Sequence, residues 1–243
     1  MYLQFANYYD SLTFDIDYEF YGQTIIKILK KQGIESGQLL EIACGTGNLT
    51  RQLSGQDFNI LAFDNSPDML NLAYPKLADV DNVTLVMQDM FSFDYARYQF
   101  DGVVMLLDVV NYVQDKKDLG TLFTNIYKGL KPGGLFIFDI NSKHKLFEVL
   151  GNNTYVYEKD NIFYTWENER QGDFVSFYLN FFIKENGLYQ RFEERQLERY
   201  YSIDTIKDLL LASGFKDIDY IDEDTALEIT ETSQRILFSA KKI

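Results

Sequence analysis

Leu39-Leu40-Glu41-Ile42-Ala43-Cys44-Gly45-Thr46-Gly47-Asn48-Leu49-Thr50 decides how this chain is read. A short apolar run ends at an acidic residue. A tight glycine turn follows, and then a helix that starts on polar residues. Strand, loop and helix N-terminus in one short stretch are the usual way an α/β sheet builds a nucleotide site. Without Cβ atoms, Gly45 and Gly47 let the backbone turn sharply and let a ligand come close.

Working outward, residues 18–32 place Tyr21, Ile25, Ile28 and Leu29 on one face and end at Gly33, which predicts an amphipathic helix with a C′ glycine. The first strand is expected at about 38–43, with its helix starting near Thr46. Residues 59–64 form a second buried run. Ser66 and Pro67 open the next helix as N-cap and first-turn residues. Further strands are expected at 83–87, 100–107 and 135–140, with a helix around 117–130 and a hard turn at Lys131-Pro132-Gly133-Gly134. Apolar runs alternating with helical patterns predict parallel strands covered on both faces.

The pattern changes at 152–200. No helical period is visible there, and turns fall at Arg170-Gln171-Gly172-Asp173 and Glu185-Asn186-Gly187. Asn-Gly is a strong hairpin signal. Phe174 to Ile183 carries apolar residues on both alternating sets, so the segment reads as a three-stranded antiparallel insertion that packs with one face and covers something with the other. The helical pattern returns from Ser202, and the last strands are expected at about 215–222 and 234–241.

The 243 residues suit one sizeable domain with an insertion, and 46% apolar residues suit a globular core. The 20 Phe and 18 Tyr must be buried or line a pocket. The net charge of −14 opposes nucleic acid and anionic membranes at long range. A single cysteine, Cys44, rules out an intramolecular disulfide and fits a reducing, cytoplasmic setting. Met1–Ala6 lacks a charged and apolar leader pattern, and no run approaches the roughly 18 apolar residues of a membrane span. One histidine and one cysteine do not make a structural zinc site, so no metal is expected. The expected partner is a small-molecule substrate. A homodimer is compatible with the sequence.

Four signals fall at the carboxyl ends of four predicted parallel strands, where open α/β sheets bind ligands. They are Glu41 with the glycine loop, Asp64, Gln88-Asp89-Met90, and Leu106-Leu107-Asp108 followed by Asn111-Tyr112. An acid at Asp64 can accept from both ribose hydroxyls. Asp89 can accept from an adenine amine, and the next backbone N–H can donate to a ring nitrogen.

With these motifs in order, and with Leu130-Lys131-Pro132-Gly133-Gly134 behind them, the chain resembles the class I S-adenosylmethionine-dependent methyltransferases over about 38–142. The resemblance implies a Rossmann-like, mostly parallel seven-stranded sheet of order 3-2-1-4-5-7-6, strand seven antiparallel. Residues 1–150 and 201–243 would bind S-adenosylmethionine, and 151–200 would be an antiparallel β lid over the substrate. It implies cofactor contacts from Tyr9, Glu41, Ala43, Gly45, Gly47, Asp64, Asn65, Met69, Asp89, Met90, Leu106 and Asp108. Ala43 departs from the glycine the family often has there. Substrate contacts are expected from Tyr112 and, on the insertion, from Trp166, Arg195 and Arg199.

Other tasks suit several of these residues. Asp108 can cap the next helix as well as line the pocket, Asp101 lies at the far end of its strand, and Asp139 suits a core role as well as a substrate-facing one. His144, between Lys143 and Lys145, reads as a solvated loop residue, and Cys44 as a small half-buried one. No catalytic residue is assigned, because methyl transfer needs a base only when the acceptor is protonated. Two other readings stand beside methyl transfer. A nicotinamide-dependent oxidoreductase shares the opening, but Thr50 stands where the third glycine of G-x-G-x-x-G belongs. A non-catalytic protein that binds S-adenosylmethionine, or uses the fold for protein contacts, is the other.

Overall fold

A computed structural model describes residues 6–13, 15–159 and 161–243, and of Asn7 the backbone alone. Met1–Phe5, on which the leader reading falls, lies outside the described residues. In chain order the elements are α1 (Ala6–Leu12), α2 (Tyr18–Lys31), β1 (Gly37–Ile42), α3 (Asn48–Leu53), β2 (Phe58–Asp64), α4 (Pro67–Lys76), β3 (Val83–Met87), β4 (Phe100–Met105), α5 (Lys116–Gly129) and β5 (Leu130–Asn141). There follow β6 (Thr154–Lys159), β7 (Ile162–Gln171), β8 (Phe174–Glu185), β9 (Leu188–Arg199), α6 (Ile203–Ser213), β10 (Lys216–Asp222) and β11 (Arg235–Lys241). No helix among the described residues is long and apolar enough to cross a membrane.

The main sheet has seven strands in the order β3-β2-β1-β4-β5-β11-β10, and β11 runs antiparallel to both its neighbours. This is the expected order. Alternation along the strands builds two cores. Leu39, Ile60, Val104 and Ile137 face α2, α3 and α4, whereas Leu40, Phe63, Val103 and Phe136 face α5 and α6. Ser66 caps α4, its Oγ accepting from Met69 N at 3.3 Å, and Gly33 ends α2 at φ +79°. β5 begins at Leu130, ahead of the expected start. Gly133 N–H donates to the Lys242 carbonyl (2.7 Å), and Lys242 N–H to that of Gly134 (2.9 Å), which draws the turn into the ladder.

The insertion forms a separate antiparallel sheet of four strands, β6-β7-β8-β9, not three. The missed strand is β6. It pairs with β7, and the sequence between the two strands has neither glycine nor proline to mark a turn. At the other hairpin Asn186 (φ +51°) and Gly187 (φ +77°) both adopt the left-handed conformation that the Asn-Gly signal predicts. Val175, Phe177, Leu179, Phe181 and Ile183 bury one face of β8 against Leu146, Leu150 and Met69 of the main body.

His144–Leu150, between β5 and the insertion, is a π-helical turn rather than a loop. At the opposite edge of the sheet Asp101 is structural. Its Oδ2 accepts from Gln38 N and from Lys131 Nζ, both at 2.8 Å.

Candidate active site

The carboxyl ends of β1, β2 and β4 meet the inner face of the four-stranded sheet around a cavity of about 800 Å³. The floor is strained backbone. Ala43 (φ +56°), Gly45 (φ +55°), Leu107 (φ +63°) and Asp108 (φ +58°) are all left-handed. Such residues cluster where a chain must present backbone to a ligand. The conformation explains why position 43 favours glycine, and alanine bears the cost here. A Cβ on Gly45 would meet no atom within 4 Å, so that glycine opens onto free space.

Asp64 organises this loop. Its Oδ2 accepts from Gly45 N and its Oδ1 from Ser66 N, each at 2.8 Å, and the side chain is buried. Burial raises its pKa while these backbone donors lower it. Glu41 is deeper. Its Oε2 is buried with no hydrogen-bond partner among the described residues, and burial, with the Asp64 charge adding, pushes the carboxyl up to about 8. Cys44 is buried beside it. Burial and the same two acids push the thiol well up, so it is no nucleophile.

Asn65, Met69, Met90 and Leu106 line the cavity as expected. Asp89 is exposed at its mouth. Its Oδ1 accepts from Phe91 N (2.9 Å) and Ser92 N (3.1 Å), which leaves Oδ2 for a ligand. Tyr9 also lines the cavity, from within α1. Burial pushes its phenol well up, and it hydrogen-bonds with Tyr18. α1 is tied down by the neighbouring residue: Asp10 Oδ1 accepts from Thr46 Oγ1 (2.7 Å) and Asn48 Nδ2 (3.0 Å), and Oδ2 lies 2.5 Å from Lys76 Nζ.

Two expected residues do not reach the cavity. Gly47, at φ +79°, turns towards α4, where an added Cβ would meet Leu77 Cδ1 at 3.0 Å and Ala73 Cβ at 3.2 Å. It permits close helix packing rather than ligand approach. Arg199 points along the base of the four-stranded sheet. Its Nη1 donates to the Gln114 carbonyl at 2.7 Å, and its guanidinium lies 5.3 Å from the Phe174 ring and 5.2 Å from that of Tyr201. Tyr112, Trp166 and Arg195 do line the cavity. The Tyr112 hydroxyl donates to Gln196 Oε1 at 2.8 Å, across the seam between the four-stranded sheet and the main body. Trp166 Nε1 is buried with no partner among the described residues.

Sequence reasoning missed the charged group beneath the four-stranded sheet. Arg235, the first residue of β11, pairs in register with Asn141 at the end of β5. Its Nη2 is 2.5 Å from Asp108 Oδ1 and its Nη1 2.7 Å from Asp139 Oδ2. Asp139 is fully buried and also accepts from Asp108 N at 3.0 Å, so its role is in the core. Lys145, read only as a neighbour of His144, lines the cavity. Burial and the Arg235 charge lower its pKa. An arginine opening an apolar strand was the one available signal.

The methyltransferase-domain family matches residues 39–134. The putative methyltransferase YqeM of Bacillus subtilis is 30% identical over 100% of this chain and 97% of its own length. The chain belongs to the S-adenosylmethionine-dependent methyltransferases. A crystal structure of such a methyltransferase from Clostridium acetobutylicum is 36% identical, with a TM-score of 0.89 over 99% of this chain and 98% of that one. DesVI of Streptomyces venezuelae, 22% identical with a TM-score of 0.80 over 99% of each chain, shares the fold.

S-adenosylmethionine is the methyltransferase cofactor, and the residues present fit it. The open space at Gly45 admits close approach of a ligand, and the orphaned Glu41 oxygen suits a buried ammonium.

Proposed function

We propose that this methyltransferase transfers the methyl group of S-adenosylmethionine to a small molecule held between the main sheet and the lid. The observation that carries the reading is one continuous cavity with two kinds of wall. One is the strained loop floor around Gly45 and Asp64, and the other is the lid face bearing Trp166, Tyr178 and Arg195. Residues 1–150 and 201–243 act as the donor-binding domain and 151–200 as the lid.

Asp64 holds the ribose, and Asp89 with Met90 the adenine. Glu41, Ala43, Gly45, Leu106, Asp108 and Tyr9 surround the methionine end. Bound there, S-adenosylmethionine supplies a methyl group already activated on a sulfonium. The protein aligns the acceptor with that methyl, and positioning of this kind lowers barriers by roughly 7–11 kcal/mol. The lid and α1 exclude water, which desolvates the nucleophile. Relatives give the acceptor its scale: one, from Streptomyces venezuelae, is named as an N,N-dimethyltransferase of a nucleotide-linked amino sugar. A cytoplasmic setting agrees with the lone, reduced Cys44.

The test is calorimetry with S-adenosylhomocysteine on the wild type and Asp64→Ala, followed by transfer of labelled methyl to a metabolite extract. Loss of two charge-assisted hydrogen bonds should weaken binding by about tenfold or more. A change below about threefold with the fold intact removes Asp64 from the site. Binding without any labelled product would favour the non-catalytic alternative.

A further inference from the structure

The acceptor half of the cavity holds a carboxyl group that no role given above uses. Glu198 lies on β9, 4% exposed, and still lines the cavity. Its Oε2 accepts from Asn141 Nδ2 at 2.7 Å. Asn141 is fixed in turn: its backbone N–H donates to Asn111 Oδ1 at 2.8 Å, and Asn111 Nδ2 donates to the Arg199 carbonyl at 2.9 Å. A chain of hydrogen bonds from lid to core and back therefore aims this carboxyl. Its Oε1 accepts none among the described residues.

The charge around it is unbalanced. Among the described residues, Asp108, Asp139, Glu198 and Glu223 share the region with two cations, Arg235 and Lys145. Arg235 is already committed to Asp108 and Asp139. Lys145 Nζ forms no ion pair among the described residues, with Glu198 or any other acid. Burial, with the Asp108 charge adding, pushes Glu198 up to about 8. Burial and Asp139 push Glu223 well up. Beside these acids the region is short of cations, because Arg235 is already paired. A bound cation relieves the excess of acid, and a bound anion adds to it.

We propose that Glu198 receives the acceptor, a primary or secondary amine bound as its ammonium, and takes the proton that must leave before methyl transfer. The inference rests on the methyltransferase reading above. An ammonium N–H of the acceptor donates to Glu198 Oε1, and the proton moves from nitrogen to that oxygen. The freed lone pair forms the new N–C bond to the methyl carbon while the C–S bond breaks, its electron pair going to sulfur. The products are a methylated ammonium, a neutral thioether and a protonated Glu198, so charge and atoms balance. An aliphatic hydroxyl is too weak an acid to yield its proton to a carboxylate, whereas an ammonium can yield one and also brings the cation this region is short of.

Sinefungin tests this without knowledge of the acceptor, because it carries a primary ammonium where the transferable methyl would be. Calorimetry on the full chain compares it with S-adenosylhomocysteine, which has nothing at that place. The wild type should prefer sinefungin by about tenfold or more. Glu198→Gln should keep the S-adenosylhomocysteine affinity and lose most of the preference. Where E198Q fails to fold, Glu198→Asp keeps the charge on a shorter arm and should lower the preference. No preference in the wild type, or one unaltered in these variants, overturns the assignment. If neither compound binds the wild type, the methyltransferase reading itself has failed and this inference falls with it. Binding of both at equal affinity overturns the Glu198 role alone.

Discussion

Arg235 Nη2 lies 2.5 Å from Asp108 Oδ1, joining the first residue of the last strand to the left-handed turn after β4. Both side chains are 13% exposed, so water screens the pair weakly. Asp139 completes the group at 2.7 Å from Nη1. Arg235→Met should leave two buried acids without their cation and cost about 3–5 kcal/mol of stability, read as a lower urea midpoint. A loss under about 1 kcal/mol would mean that the acids are satisfied by protons instead.

Gly45 and Gly47 should separate under the same substitution. Gly45→Val places its side chain in the open space of the cavity, so binding of S-adenosylhomocysteine should drop sharply. Gly47→Val drives Cβ against Leu77 and Ala73, so the melting temperature should fall first. Thermal melts and calorimetry on both variants read the two effects. Equal behaviour of the pair would contradict the division of labour.

Glu41 gives stability a pH dependence of known sign. Its folded value of about 8 stands above the ordinary unfolded value of about 4.3. Between these limits the folded state keeps a proton that the unfolded state has lost. Stability therefore falls as pH rises through the window and levels off above it. Glu198, also raised to about 8, contributes in the same range. Glu41→Gln should match the wild type near pH 4 and exceed it by a few kcal/mol near pH 8, so its urea-unfolding profile is the flatter one. A wild-type slope retained in the variant assigns the effect elsewhere.

Hydrogen exchange should find β6–β9 less protected than β1 and β4 in the free protein, and more protected once S-adenosylhomocysteine and an amine are present. A cover must open for exchange of ligands. Protection equal to that of the core strands without ligand would make this sheet a fixed layer.

The loop floor of the cavity was legible because its requirements lie in the backbone. A glycine turn after an apolar run, an acid ending the next strand and Ser-Pro opening a helix follow from local geometry, and Asp64 and Ser66 meet as that grammar implies. The charged wall around Arg235 and Glu198 was not, because its residues meet through register. Arg235 reaches Asp108 only because β11 pairs antiparallel to β5, and Glu198 faces Asn141 only because β9 returns to the sheet edge. Lys145 was hidden by a π-helical turn that sequence periodicity does not announce. Gly47 and Arg199 show the opposite error. Each has the chemistry of a ligand contact, and packing turned each away.

The strands β6 to β9 pair in a ladder with one another and with none of the seven strands below. They also occupy one uninterrupted run of chain, between the turn after β5 and α6. The side chains facing a new acceptor can therefore drift without disturbing a single ladder bond of the methyl-donor half. Side chains hold the seam instead, with the Tyr112–Gln196, Asn111–Arg199, Asn141–Glu198 and Arg199–Gln114 bonds among them. The sheet that roofs the cavity is thus one cassette of sequence, joined to the sheet below by side chains and not by a ladder.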